Sequence, residues 1–243
     1  MVHRFRNGVE LCVRTQTYDL LIINEVWVDR IYTSSAGFEI LDDWVVVDVG
    51  GHKGIFSVFA ASRAKGVKVY AFEAAPDNFA HLSNNLHRNN LSNVKAFNVA
   101  VTGEDGETTL HLYPDAGQNS LLQRSDPTLR PLADIKVETW SLARILKDIA
   151  APVNLLKMDI EGMEYEALLS CPPEDLQRVE RIALEYHDDL VHTPHGVSTL
   201  ISFLNANGFS TRLCPGRDIL IAEKQKQTPY RKSETVAAEY IQW

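Results

Sequence analysis

A chain of 243 residues, 45% hydrophobic and 23% charged, is long enough for one large α/β domain with a well-buried core. Its formal net charge of −8 argues against non-specific nucleic-acid binding, which needs a basic face; Lys224, Lys226, Arg231 and Lys232 make only a weak basic patch. Cys12, Cys171 and Cys214 are scattered without a C-x-x-C, which argues against a disulfide framework or structural zinc, and the lack of a signal-peptide pattern or a transmembrane-length stretch points to a cytoplasmic protein with no membrane span.

Residues 1–43 read as an N-terminal extension that can cap the main domain. Within it Val9–Val13 and Tyr18–Ile23 pattern as short strands, and Asn24 as the cap of a helix over Glu25–Tyr32 with Val26, Ile31 and Tyr32 on its apolar face. Val45-Val46-Val47 reads as a strand buried on both faces, as in a parallel sheet. It runs into Asp48-Val49-Gly50-Gly51-His52-Lys53-Gly54, after which Ile55–Ala61 shows helical spacing. Val67–Phe72 is a second strand, ending at Glu73. Pro76 suits the first turn of a helix that runs to about Asn89.

Val94–Val101 reads as the third strand. Glu107–Tyr113 follows as a strand, then a polar loop around Asp115–Ser120, of a length that often carries function. Ile135–Trp140 alternates like a strand, and Ser141 caps a helix carrying Leu142, Ile145, Leu146 and Ile149. Val153–Met158 is the fourth main strand, ending in Asp159-Ile160-Glu161-Gly162 before a helix over Glu164–Leu169. Arg181–Tyr186 is the fifth, ending at His187-Asp188-Asp189. A helix over Val197–Asn205 stops at Gly208, and Phe209–Leu213 with Ile219–Ala222 close the sheet. Strands alternating with helices predict an α/β, doubly wound, mostly parallel sheet over residues 44–223, followed by a polar tail over 224–243 in which a short helix is possible.

The loop at the end of the first strand carries the chemistry. In an open α/β sheet a nucleotide-like ligand sits at that turn. Gly50 and Gly51 allow close backbone approach. A dinucleotide fingerprint wants G-x-G-x-x-G; Gly51 and Gly54 fit, but Val49 holds the first glycine position, and Asp48 would repel a pyrophosphate. No G-K-[ST] follows, which excludes a P-loop. An acid suits the amine of S-adenosyl-L-methionine (SAM), and Glu73, at the end of strand two, can take both hydroxyls of a ribose. Asp48 and Glu73 then form a SAM cradle around Gly50, Gly51, His52 and Gly54, with Asn98 and Ala100 where the adenine falls, although Asn98 can equally point away as a surface amide. Two solvated strand-end acids are the bland alternative, and the pair flanking a glycine loop speaks against it.

Three motifs carry a family likeness. Val46-Val47-Asp48-Val49-Gly50 with Gly54, then Ala71-Phe72-Glu73-Ala74-Ala75-Pro76, then Leu156 through Glu166 with Asp159-Ile160-Glu161-Gly162 at its centre, resemble the FkbM family of SAM-dependent methyltransferases. The resemblance covers roughly residues 25–222 and implies a Rossmann-like class I methyltransferase fold with seven strands, the last antiparallel. It also implies O-methylation of a small-molecule hydroxyl on a natural product, sugar or glycolipid headgroup. By matching position it makes Asp48, Gly50 and Gly54 the SAM loop, Glu73 the ribose acid, and Asp159 and Glu161 the D-x-E-G signature. Asn119 and Ser120 resemble a polar pair frequent in the family before the fourth strand. The family's D-[VI]-G-A-N-x-G loop departs here to Gly51-His52-Lys53, replacing an asparagine that contacts the methionine end.

Methyl transfer to an alcohol needs an in-line approach and a base for the hydroxyl proton. Asp159, Glu161, Glu185 and His187 stand at the ends of strands four and five. His187, whose ordinary pKa is nearest neutrality, is the favoured base, with Asp159 and Glu161 orienting it or the substrate, or contacting the SAM amine. A solvent-bonded loop histidine is the bland reading of His187. A Mg²⁺-like ion on Asp159, Glu161, His187, Asp188 and Asp189 is a less favoured route to an activated hydroxyl. Zinc at His192-Thr193-Pro194-His195 is disfavoured, because Pro194 breaks the helix that would align the two imidazoles. The competing functions are a catalytically silent SAM-fold binding protein and, more remotely, an NAD-type oxidoreductase.

Overall fold

A computed structural model of the chain describes residues 1–15, 17–124, 126, 128–191 and 196–225. The expected disfavoured zinc pair His192/His195 and the tail helix beyond residue 225 lie outside the described residues. In chain order the elements begin with a two-stranded N-terminal hairpin, β1 (Val2–Arg4) and β2 (Glu10–Cys12), then α1 (Asp19–Ile23), which runs on into a π-helical turn over Asn24–Asp29. The main sheet is built from β3 (Val45–Val49), β4 (Lys68–Phe72), β5 (Val94–Phe97), β9 (Leu155–Met158), β10 (Arg181–Glu185), β11 (Phe209–Leu213) and β12 (Ile219–Lys224). Between β5 and β9 the chain makes a second sheet of β6 (Ala100–Thr102), β7 (Gly106–Leu112) and β8 (Ala133–Ser141). The helices of the main domain are α2 (Ile55–Arg63), α3 (Pro76–Arg88), α4 (Leu142–Asp148), α5 (Glu164–Leu169), α6 (Pro173–Leu176) and α7 (Val197–Ala206).

The seven strands lie in the order β11–β12–β10–β9–β3–β4–β5. The pairs β10–β9, β9–β3, β3–β4 and β4–β5 are parallel, and β12 runs antiparallel to both of its neighbours. This is the doubly wound sheet with one reversed strand that the motifs imply. Alternate residues of each strand feed opposite layers. Val45, Val47 and Val49 pack with Leu142, Leu146, Leu168 and Leu204 from α4, α5 and α7. Val46 packs with Ile55, Phe59 and Leu82 from α2 and α3, and with Ile23 and Val26 of the N-terminal segment. A strand covered on both faces has no polar side, which is why it reads as an unbroken valine run.

The register positions the site. Val49 lies beside Phe72 and beside Met158, and Met158 beside Leu184. The next residues, Gly50, Glu73, Asp159 and Glu185, therefore emerge side by side at one edge of the sheet. Ser141 caps α4 as expected, accepting from the Arg144 amide at 3.2 Å.

Several local expectations are corrected. The expected strand over Tyr18–Ile23 is a helix from Asp19, because Asp19, Ile23 and Val26 of the run-on turn face inward at a three-to-four spacing. An acid occupies the first of these positions, which disguised the pattern. Asn24 lies inside the continuing helical run rather than capping it, and the run ends at Arg30 in the left-handed region (φ 55). The single strand expected over Val94–Val101 breaks at Asn98, and its second half leaves to pair with β8. Among the described residues no helix is long and apolar enough to cross a membrane.

Candidate active site

A cavity of about 380 Å³ opens at the edge where the strand ends align. Gly50 and Gly51 form its floor: both amides donate to the Phe72 carbonyl at the end of β4, at 3.0 and 2.8 Å. Gly50 sits at φ 80, and a Cβ there would fall 1.7 Å from the Asp159 carbonyl oxygen, so only glycine lets the loop cross the end of β9. His52 and Ala100 also face the cavity. Gly54 does not; it starts α2 at φ 78 and packs against Leu82 of α3.

Asp48 is not in the cavity wall. It is fully buried beneath the loop, accepting from Ser57 Oγ at 2.5 Å and facing Lys157 Nζ at 3.3 Å. Lys157 is buried too and donates to the Gly50 carbonyl at 2.8 Å, with Asp159 Oδ2 3.7 Å away. Burial opposes its charge, but Asp48 and Asp159 outweigh that and hold its pKa above the usual lysine range. A second buried pair, Lys53 Nζ to Asp19 Oδ1 at 2.5 Å, ties the N-terminal segment to the same loop.

Glu73 lies in the wall beside this loop, where sequence placed it. Its Oε2 accepts the His52 amide at 2.7 Å and its Oε1 the Ala75 amide at 2.9 Å. Burial raises its pKa, against those amide hydrogen bonds. Asn98 is turned away from the cavity and braces this strand end, donating to the carbonyls of Glu73 and Ala74 at 2.8 and 3.0 Å.

The opposite wall is acidic. Asp159, Glu161, Glu185 and Glu25 all line it. The Tyr32 hydroxyl, buried, lies 2.9 Å from Glu185 Oε2 and 3.2 Å from Asp159 Oδ2, and its one proton serves either. Burial first, then the neighbouring Asp159, pushes Glu185 up to about 7. Glu161 also rises to about 7 through burial, although Arg124 Nη2 stands 2.5 Å from its Oε2. Glu161 sits in the left-handed region (φ 53), held there by Ser120 Oγ donating to its carbonyl at 2.6 Å. Asn119 and Ser120 both line the cavity.

His187 stands behind this wall rather than in it. Its Nδ1 is 3.0 Å from the buried Glu164 Oε1 and its Nε2 is 3.7 Å from Glu161 Oε2. Burial opposes its charge, yet Glu164, Glu161 and Asp159 together push it up to about 10, so it is an imidazolium at neutral pH. A cation cannot take a proton, which removes the main reason for choosing it as the base. Donor atoms of Asp159, Glu161 and His187 come within 4.8 Å of one another, but Arg124 and Glu164 already engage two of them, a poor fit for a divalent ion. Asp188 and Asp189 are exposed and lie outside that cluster; Asp188 accepts instead from the Tyr165 hydroxyl and the Val197 amide.

Sequence reasoning missed Tyr32, Lys157 and Arg124 as site residues. Tyr32 and Arg124 reach the site from distant parts of the chain. Lys157 carried a signal, a lysine inside an otherwise apolar strand flanked by Leu156 and Met158. The residues present fit SAM: acids suit a cationic ligand, and both ring nitrogens of His52 are buried at the cavity without a partner among the described residues.

The family model for the methyltransferase FkbM domain matches residues 48–211. The chain is 30% identical to the 31-O-demethyl-FK506 methyltransferase FkbM of Streptomyces tacrolimicus over 85% of this chain and 88% of that one. It is 28% identical to Methyltransferase 1 of Beauveria bassiana over 78% of this chain and 80% of that one. A putative rRNA methylase structure from Clostridium thermocellum aligns over 89% of this chain and 100% of that one with TM-score 0.48 and 13% identity.

Proposed function

The chain belongs to the methyltransferase FkbM domain family, and from that premise we propose that it transfers a methyl group from SAM to a hydroxyl of a small molecule with an apolar body and no negative charge. The supporting observation is the strand alignment, which sets Glu73 at one end of a single cavity and Asp159 and Glu185 at the other. SAM supplies the methyl from a positively charged sulfur; the rest falls to side chains of this chain. Glu73 takes the ribose hydroxyls, and Asp159 takes the cofactor amine. Asp48 acts from beneath, neutralised by Lys157, which clamps the Gly50 carbonyl and so fixes the loop.

Glu185 is the general base in this reading, in place of His187. A carboxyl near pH 7 is ionised in part at neutrality and basic enough to accept a hydroxyl proton as the oxygen attacks. Tyr32 holds Oε2 and leaves Oε1 for the acceptor. Glu161, tied to Arg124, and the His187–Glu164 pair behind it shape the pocket without exchanging protons. Tyr18 and Leu21 line the mouth while 62% and 52% exposed, an apolar platform for the acceptor body. The acids repel a carboxylate or phosphate. The O-methyl assignment gains support from the relative named for a 31-O-demethyl substrate.

The experiment is release of S-adenosylhomocysteine from SAM with a panel of hydroxylated compounds, each paired with a carboxylate-bearing counterpart. Turnover on neutral members, with an oxygen-methylated product by mass spectrometry, is expected. Turnover confined to the anionic counterparts, or a methyl found on nitrogen or carbon, contradicts the reading.

A further inference from the structure

The N-terminal helical run departs from the pattern of a surface helix. Its inward residues Asp19, Ile23 and Val26 are buried, and the side turned to solvent should then be polar. It is apolar instead: Leu20, Leu21 and Val28 are 48, 52 and 68% exposed, beside the exposed Tyr18. Beyond residue 30 the exposed large apolar side chains among the described residues, Leu41, Leu132, Leu169 and Leu213, stand far apart in the chain, as is ordinary on a surface. Tyr18 and Leu21 also line the cavity mouth, but Leu20 and Val28 do not, so an acceptor confined to the cavity leaves them bare. Cations border this face. Phe5 stacks on Trp27 at 3.9 Å between ring centroids, Trp27 meets Phe59 edge-on at 5.3 Å, and the Arg63 guanidinium lies 5.0 Å from the Phe59 centroid. That row sets Arg6, next to Phe5, at one end and Arg63 at the other, while Arg30 closes the helical run. All three arginines are exposed and have no carboxylate partner among the described residues, whereas the acids of the same run, Glu25 and Asp29, are both held by Arg217. Burial, then the nearby Arg30, lowers the pKa of Arg63, so like charges face each other there.

We propose that this face docks on an anionic lipid surface, with Leu20 and Val28 in the boundary between headgroups and acyl chains, Arg6, Arg30 and Arg63 on headgroup phosphates, and the cavity mouth opening at the lipid. An apolar face edged by arginines is what an interfacial helix presents to a bilayer. A second copy of the chain fits this face less well: four exposed side chains offer on the order of a few hundred Å², against about 800 Å² per partner in a stable interface, and they leave the arginines unmatched. The net charge of −8 opposes adsorption of the chain as a whole, so attraction to anionic lipid has to come from this face. The acids of the cavity keep phosphate out, so the lipid is a platform for the protein and not its acceptor. The inference goes beyond the methyl-transfer reading and does not rest on it, since docking needs neither cofactor nor turnover.

The test is flotation of the full chain with vesicles of phosphatidylcholine alone and of phosphatidylcholine mixed in equal parts with phosphatidylglycerol. The wild type is expected to bind the mixed vesicles about tenfold or more tighter than phosphatidylcholine alone, and to lose that binding as salt is raised. Leu20→Ser combined with Val28→Ser should weaken it by about tenfold or more. Arg6→Gln and Arg30→Gln should each weaken it roughly fivefold and make the salt dependence shallower. These four residues are exposed and outside the cavity, so melting temperature and S-adenosylhomocysteine affinity should stay at the wild-type values. No binding to the mixed vesicles, or binding that both sets of variants leave intact, overturns the proposal. So does a wild-type dimer in sedimentation that Leu20→Ser with Val28→Ser turns into a monomer, because a second copy then covers the face. A wild type that floats with the mixed vesicles but does not bind S-adenosylhomocysteine overturns the SAM reading and leaves the docking standing.

Discussion

The two halves of the cavity are built by different rules. The cofactor half comes from short contiguous stretches, the 48–54 loop and the 72–78 turn, and its charges are buried in fixed pairs, Asp48 with Lys157 and Asp19 with Lys53. The acceptor half is gathered from afar: Tyr32 meets Glu185 across 153 residues, and Arg124 meets Glu161 across 37. Its carboxyls Glu161 and Glu185 are raised to about 7. On the proposed reading, the cofactor side holds its shape with charges locked by neighbours, while on the acceptor side Glu161 is locked to Arg124 and Glu185 alone is poised to exchange a proton.

The sharpest break between the halves is expected at Glu185. Glu185→Gln should lower kcat by about 10²- to 10⁴-fold while S-adenosylhomocysteine affinity stays within about threefold, read by steady-state turnover and calorimetry. In the wild type kcat should rise about tenfold per pH unit below about 7 and level off above it, as Glu185 loses its proton. On the cofactor side, Lys157→Met strands a buried carboxylate at Asp48 and should cost about 3–5 kcal/mol in chemical denaturation. Adding Asp48→Asn should recover part of that loss; additive losses would mean that the two do not act as a pair.

A smaller effect is expected for Tyr32→Phe. The Tyr32 hydrogen bond favours ionised Glu185, so its removal should move the midpoint of the pH–rate profile upward, with kcat down by about tenfold near neutrality. An unmoved midpoint would separate Tyr32 from the base. A final effect concerns His187 and is read from stability rather than turnover. Its folded pKa of about 10 lies above the ordinary 6.5, so its contribution to stability is complete below about 6.5 and is lost as pH rises through about 10. Unfolding free energy should fall over that window in the wild type and fall less in His187→Gln. Identical slopes would mean that the Glu164–His187 pair contributes nothing.

The same contrast explains what could be read from the chain. The valine strand, its glycine loop and the acids Glu73 and Asp159 are legible because each lies within a few residues of a strand end, where local pattern and position coincide. The reversed strand β12 and its hairpin partner β11 are legible in the same way. Sequence pattern puts Asp48 at the strand end and points it at the ligand, because one-dimensional pattern cannot show that Lys157 faces it across the sheet. Asp19 hid a helix: a buried acid interrupts the apolar spacing, and its partner Lys53 is 34 residues away. The ordinary pKa of His187 favours it as a base, but Glu164, Glu161 and Asp159, distant or unreadable as neighbours in sequence, raise it.

The central claim is that one cavity places the cofactor's sugar against Glu73 and its sulfur toward Glu185. A crystal structure with S-adenosylhomocysteine bound tests it most directly. The predicted result has both ribose hydroxyls within hydrogen-bonding distance of the Glu73 carboxylate and the open side of the sulfur facing Glu185 and Tyr32. A ribose remote from Glu73, or a sulfur turned away from the acidic wall, would contradict it.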